Sequence, residues 1–152
     1  MVMTTDSKSL YDNLIRYEIE LWNAIDATLR TECDLQLTWF EILRFLAGHS
    51  GSRVQDIAAE FSITVGGTSK VVDRIEAAGY CARRANPDDR RSSLVVLTPT
   101  GRQVLDRATV VFEGELQQRI GAVLDHQTIH TVTTALATLR AAGHARDADG
   151  KS

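Results

Sequence analysis

The fold of this chain is decided by residues 83–98, which read RRANPDDRRSSLVVLT. The apolar run over residues 93–97 follows a turn that contains proline and two aspartates, and this pattern predicts a β-hairpin whose first strand covers residues 80–85. Four arginines and two aspartates make the hairpin turn too polar for a hydrophobic core. The hairpin is therefore expected to project into solvent and to end at Thr98, which can cap a following helix.

Two short helices are predicted directly before the hairpin, over residues 55–61 and 65–78. Thr64 stands where the second helix needs an N-cap, and Gly79 stands where it needs a C′ glycine. The three-residue connection between the helices has the length of a helix-turn-helix. A helix-turn-helix followed by an arginine-tipped hairpin is a winged helix-turn-helix, which usually holds duplex DNA.

Longer helices are predicted on both sides of this lobe. Apolar residues at steps of three and four indicate a first helix over residues 6–30, and a capping-box pattern from Thr38 to Glu41 indicates the start of a second. A brief strand is expected at residues 53–54. The last two helices are expected at about residues 98–120 and 125–142.

These elements predict a mainly α protein with a small β-wing, organised as one domain over residues 1–152. Within it we expect a winged helix-turn-helix DNA-binding lobe at 35–99, long dimerisation helices at 6–34 and 100–142, and a disordered tail at 143–152.

The order of elements and several motifs resemble the MarR family of bacterial transcription regulators. The residues that carry the resemblance are Leu37-Thr38, 68–80 (TSKVVDRIEAAGY), 87–91 (PDDRR) and 94–101 (LVVLTPTG), and the match covers about residues 10–142. The resemblance implies a homodimer that presents two recognition helices to successive major grooves, about 34 Å apart, of a near-palindromic DNA site. It also implies a small-molecule effector that relieves repression, and no catalytic activity.

The start of the recognition helix is the expected DNA-reading surface, because this motif places its N-terminal residues at base edges. The expected contacts are Val65, Gly66, Gly67, Thr68, Ser69, Lys70 and Arg74. The glycine pair has two interpretations: a weak first turn, or a bare backbone that lets a phosphate or base edge come close. Lys70 and Arg74 lie one turn apart and either contact phosphate or form a solvated face.

The wing supplies the second group of expected DNA contacts, namely Asp89, Arg90 and Arg91. By the resemblance, Arg91 falls on the family's wing-tip arginine, and Asp89 is expected to hold its guanidinium in one rotamer. Such an arginine can enter a narrow minor groove, whereas Arg90 is expected to meet phosphate. The alternative is a hairpin that its charges merely keep soluble. Arg83 and Arg84 point to opposite faces of a strand, so at most one of them faces DNA.

The flanking helices carry apolar stripes that a dimer would bury, although a monomer could fold them back on itself. These stripes contain Tyr11, Leu14, Leu21, Val132, Leu136 and Leu139. By the resemblance, an effector pocket lies between the dimer helices and the DNA-binding lobe. Its expected lining is Tyr17, Trp22, Trp39, Phe40 and Phe112, although aromatic residues at such spacings are also ordinary core residues.

The charge distribution agrees with DNA binding although the net charge is −3. Residues 51–102 hold eight basic and six acidic residues, whereas the rest of the chain holds nine and fourteen. No apolar run reaches the roughly 20 residues that span a bilayer, and no signal peptide is evident, so a cytoplasmic protein is expected.

Other chemistry has little support in the sequence. No catalytic motif, cofactor motif or metal site is predicted: Cys33 and Cys81 are far apart, and His126 and His130 lack a further ligand. The leading hypothesis is a homodimeric repressor relieved by a small molecule. The alternatives are a winged-helix dimerisation module of an enzyme and a protein-interaction module without DNA binding.

Overall fold

The computed structural model describes the backbone of residues 2–151 and the side chains of residues 6–151. Its elements, in chain order, are α1 (Val2–Cys33), α2 (Leu37–Gly48), α3 (Val54–Phe61), α4 (Val65–Ala77), β1 (Cys81–Ala85), β2 (Ser93–Leu97), α5 (Pro99–Leu116), a π-helical turn (Gln117–Gly121) and α6 (His126–Asp149). The mainly α architecture with a small β-wing is therefore confirmed. The chain forms two compact units, one that ends at Phe112 and one that begins at Glu113.

The first unit has a hydrophobic core to which every element from α1 to β2 contributes. Its fully buried side chains include Leu29, Leu35, Phe40, Leu43, Ile57, Val72, Ile75, Cys81 and Val95. They recur at steps of three or four residues within α2 and α4, which is the spacing that keeps one helix face against a core. The core fixes α3 and α4 against the hairpin.

The hairpin pairs β1 and β2 antiparallel, from Cys81 opposite Leu97 to Ala85 opposite Ser93. A third segment joins this sheet by a single bridge, in which the Val95 N–H donates to the Ser52 carbonyl at 2.7 Å. The expectation of a brief strand at residues 53–54 is therefore wrong, because the residue that joins the sheet is Ser52. Arg53 is instead the N-cap of α3, because the Asp56 carboxylate accepts from the Arg53 N–H at 2.9 Å and fixes the first turn.

The start of α2 also differs from the sequence-based expectation. The capping box from Thr38 to Glu41 does not form: α2 begins at Leu37, whose N–H donates to the Asp26 carboxylate of α1 at 2.8 Å. Burial by itself raises the pKa of Asp26, but hydrogen bonds from Leu37 and Arg30 outweigh it and leave that pKa lowered. A cap supplied from another helix cannot be recognised from local spacing.

The first and last helices, α1 and α6, are both longer than expected. α1 extends over Val2–Cys33, beyond the expected range 6–30. α6 is capped by the Asp125 carboxylate, which accepts from the Thr128 N–H at 2.7 Å, and it continues to Asp149. The expected end near Ala142 and a disordered tail from Gly143 are therefore wrong for residues 143–149. A single glycine costs a helix only about 1 kcal/mol relative to alanine and does not end it.

The C-terminal end of α5 is irregular. The helix gives way after Leu116 to the π-helical turn, where regular helix was expected to about Ile120. Within the described part of the chain, no helix is both long enough and apolar enough to cross a membrane.

Candidate nucleic-acid interface

The second helix of the helix-turn-helix, α4, is bounded by the two cap residues that the sequence predicts. The Gly67 N–H donates to the Thr64 hydroxyl at 3.1 Å, which confirms Thr64 as the N-cap of α4. Gly79 has a φ of +84°, which lies in the left-handed region that glycine adopts without a steric clash. These two residues mark the two ends of α4, and residues 78–80 connect the helix to β1.

The two glycines at the start of α4 have different roles. A Cβ on Gly67 would lie 2.9 Å from the Thr64 hydroxyl oxygen, so this glycine makes room for the cap. A Cβ on Gly66 would meet nothing within 4 Å. Gly67 is therefore explained within the protein, whereas Gly66 leaves a bare stretch of exposed backbone at the tip of the helix.

Thr68 does not belong to the exposed surface of α4. Its side chain is 2% exposed, and its hydroxyl donates to the Thr64 carbonyl at 2.9 Å. The expectation that Thr68 contacts DNA is therefore wrong, because this position points into the core with Val72 and Ile75. Ser69 is half-buried, and its hydroxyl lies 3.5 Å from Arg83 Nη2.

A cluster of charges ties the first wing strand to α4. Arg83 Nη1 lies 2.7 Å from the Asp73 carboxylate and 3.1 Å from that of Glu76. The Arg83 N–H also donates to Glu76, at 2.7 Å. The charge of Arg83 is therefore compensated within the protein, whereas its neighbour Arg84 is exposed to solvent. The cluster holds the wing and the recognition helix at a fixed separation.

The wing turn is ordered by two polar side chains. The Asp89 carboxylate accepts from the backbone N–H of Arg91 at 2.9 Å, so Asp89 shapes the backbone of the turn and does not hold the Arg91 guanidinium as expected. Asn86 was not anticipated as part of the site. Its amide donates to the Ser92 hydroxyl at 3.1 Å and accepts from the Asp88 N–H at 3.0 Å, a pattern that an asparagine before a proline could have indicated.

The two sides of the wing differ in charge. A groove of about 570 Å³ is lined by four arginines, Arg83, Arg84, Arg90 and Arg91, together with small and polar residues of the hairpin. A separate groove of about 360 Å³ contains Asp56, Asp88 and Asp89, with Arg53 as its basic residue. Arg53 is paired with Asp56, at 3.0 Å, and this contact lowers the pKa of the Asp56 carboxyl. Only the first groove suits an anion such as the DNA backbone.

The five expected effector contacts do not share one environment. Phe40 is fully buried in the core and packs against Phe112 with ring centroids 4.8 Å apart, and its contact with an effector stays a prediction. Trp39 packs edge-on against Tyr80 at 6.3 Å. The exposed rings of Tyr17 and Trp22 lie on α1. An effector role for Tyr17, Trp22, Trp39 and Phe112 stays a prediction.

The cysteines and histidines show no sign of a sensing site. Burial raises the pKa of the Cys81 thiol to about 11, and burial also raises that of Cys33. Neither thiol is therefore ionised at neutral pH. His126 and His130 lie exposed on α6. Among residues 6–151, no three or more metal-binding side chains come together.

Comparison with known proteins agrees with this geometry. The model of the MarR family matches residues 34–92, which contain α2, the helix-turn-helix and most of the wing. Over these residues the chain is similar to the MarR family of transcription regulators. YfiV of Bacillus subtilis, an uncharacterized helix-turn-helix regulator, is 30% identical over 71 residues, which are 47% of this chain and 44% of YfiV. The chain spans less than half the length of YfiV and of its B. subtilis relative YkoM.

Solved MarR structures share the fold. Sco3205 of Streptomyces coelicolor, a MarR regulator in complex with DNA, aligns with a TM-score of 0.82 over 90% of this chain and 86% of its own, at 20% identity. The repressor CouR bound to a 23-mer DNA duplex aligns with a TM-score of 0.80 over 88% and 94%, at 25% identity. MarR regulators are DNA-binding transcription factors and not enzymes. In this shared fold, α4 takes the position of the recognition helix and the β1–β2 hairpin takes that of the wing.

Proposed function

We propose that this chain is a MarR-type regulator, a homodimeric, sequence-specific DNA-binding protein that acts in the cytoplasm as a repressor. Residues 35–99 form its DNA-binding lobe, and the helices at 6–34 and 100–142 form its dimer interface. The observation that carries the proposal is the arginine-lined groove of the wing beside a recognition helix whose first turn is exposed. The DNA site is a near-palindrome, because a twofold dimer presents the same surface twice.

The charges of this surface suit a DNA backbone. Lys70 and Arg74 are exposed on α4, and Arg84, Arg90 and Arg91 are exposed on the wing. Arg83 pairs with Asp73 and Glu76, the two acidic side chains of α4, and offsets part of their charge. A local basic surface of this kind attracts phosphate even in a protein with a net charge of −3.

The apolar surface of α1 supports the homodimer. Leu10, Tyr11, Leu14, Ile15, Ile19 and Trp22 are all at least 39% exposed. In the second unit, α6 likewise exposes Val132 and Leu139. Large apolar side chains in such number are costly in water and mark surfaces that bind another protein. A second copy of the chain is the partner that the family resemblance implies.

An effector completes the proposal. CouR of Rhodococcus jostii RHA1 has been solved with p-coumaroyl-CoA bound. By analogy with that relative, a small molecule relieves repression here. It can do so only if it binds the DNA-competent and DNA-incompetent shapes of the dimer with different affinities.

The proposal is tested by the salt dependence of DNA binding. We expect the affinity of the purified protein for a duplex to fall by about 10³-fold between roughly 50 and 200 mM salt, because six or more phosphate contacts release counterions. Fluorescence anisotropy of a labelled duplex measures this slope, and sedimentation of the same sample gives the oligomeric state. A flat salt response, or a monomer on DNA, would contradict the proposal.

A further inference from the structure

Two apolar side chains stand exposed at the tip of the recognition helix. Val65, the first residue of α4, is 55% exposed, and Ile63, in the turn before it, is 45% exposed. Neither contributes to the core of the lobe. Exposed apolar residues are common singly, but Val65 occupies the part of α4 that this motif places at base edges, and Ile63 lies in the turn directly before it.

The polar side chains expected to read bases near the start of α4 are mostly buried or half-buried. Thr68 is buried and bonded to the Thr64 carbonyl. Ser69 is half-buried beside Arg83. Lys70 is exposed but lies more than a turn into the helix. In the first turn of α4, Val65 is therefore the exposed side chain left to meet a base.

The neighbouring backbone allows a close approach to that base. Gly66 has no side chain, and a Cβ there would meet nothing within 4 Å, so this turn presents bare backbone beside Val65. Exposed basic side chains occur on the same lobe: Lys70 and Arg74 lie farther along α4, and the wing carries its own arginines. An apolar tip on a lobe that also exposes basic side chains suits a DNA groove that displays an apolar group between two phosphate backbones.

The major groove displays one such group, the 5-methyl of thymine. We infer that Val65 reads the 5-methyl group of a thymine in each half-site. This inference rests on the proposed function, since it names what the recognition helix selects. Sequence preference at this position comes from apolar contact, and hydrogen bonding is not required for it.

The test removes that methyl group and nothing else. A duplex that binds the protein is first selected from a random pool, and each thymine is then replaced by deoxyuridine. We expect one thymine per half-site at which the replacement weakens binding about fourfold, and about fifteenfold when both half-sites are changed, since a buried carbon of this size contributes about 0.8 kcal/mol. The Val65→Ser protein should bind both duplexes equally, because it lacks the apolar contact.

Ile63→Ser is the matched control. It removes the other exposed apolar side chain of the turn, and it should keep the wild-type preference for thymine over deoxyuridine. Loss of the preference in Ile63→Ser but not in Val65→Ser would overturn the assignment to Val65. A selected duplex at which no replacement weakens binding would overturn the inference and leave the proposed function standing. A pool from which no duplex is enriched would contradict both.

Discussion

Replacing Arg91 by alanine should weaken DNA binding by about thirtyfold or more, since both subunits of the proposed dimer lose the contact, and should leave the free energy of unfolding unchanged. Arg91 is exposed at the wing turn, where its backbone N–H is held by the Asp89 carboxylate at 2.9 Å. The ordered backbone fixes the base of a long, flexible side chain, so less entropy is lost when the guanidinium meets DNA. Loss of one arginine contact to a nucleic acid typically costs about 1–3 kcal/mol.

The measurement is anisotropy of a specific duplex with the two proteins at equal salt, accompanied by urea unfolding. Arg146→Ala serves as the matched control, because it removes an exposed arginine of α6 outside the helix-turn-helix and the wing. Its DNA affinity should equal that of the wild type. Normal DNA affinity in Arg91→Ala would remove the wing from the mechanism. A loss of equal size in both variants would mean that overall charge, and not the wing tip, controls binding.

The second large effect is expected from Gly101→Ala, which should lower the free energy of unfolding by about 3 kcal/mol. Gly101 is buried in the first turn of α5. A Cβ there would overlap the backbone carbonyl of Tyr80, which belongs to the connection between α4 and β1. Because the obstacle is backbone, the strain cannot be relieved by a rotamer change.

This close approach ties α5 to the DNA-binding lobe. The Thr98 N–H donates to the same Tyr80 carbonyl at 3.1 Å, and the Thr98 hydroxyl accepts from the Gly101 N–H at 3.0 Å. Separating the two backbones to admit a methyl group would strain the bond from the Thr98 N–H to Tyr80 and the 2.6 Å bond from the Thr98 hydroxyl to the Gly79 carbonyl. Urea unfolding followed by circular dichroism measures the loss. Gly66→Ala is the control, since it adds a methyl group in open space and should not destabilise the protein. Equal stability of the two variants would contradict this account of Gly101.

The recognition helix, both wing strands and the start of α5 could be predicted from sequence because their signals are local. The caps at Thr64 and Thr98 lie three residues from the N–H groups that they bind. The left-handed position at Gly79 is likewise a property of one residue. Such contacts leave a pattern in the sequence that does not depend on the rest of the fold.

The features that could not be predicted depend on contacts between distant elements. The start of α2 is set by Asp26, eleven residues away on another helix. Thr68 and Phe40 have side chains that suit a binding surface, but the packing of their helices places them in the core. Arg83 differs from Arg84 because its strand packs beside Asp73 and Glu76, and this contact pairs the Arg83 guanidinium with both carboxylates. Residue type alone could not separate these cases.

Sequence-specific binding to duplex DNA is tested most directly by anisotropy with DNA from upstream of this protein's own gene. The comparison is a shuffled duplex of equal length and composition at about 150 mM salt. We expect nanomolar binding to the upstream duplex and binding about 10³-fold weaker to the shuffled one. Equal, weak binding to both, and to duplexes selected from a random pool, would contradict the assignment of this winged helix to sequence-specific DNA recognition.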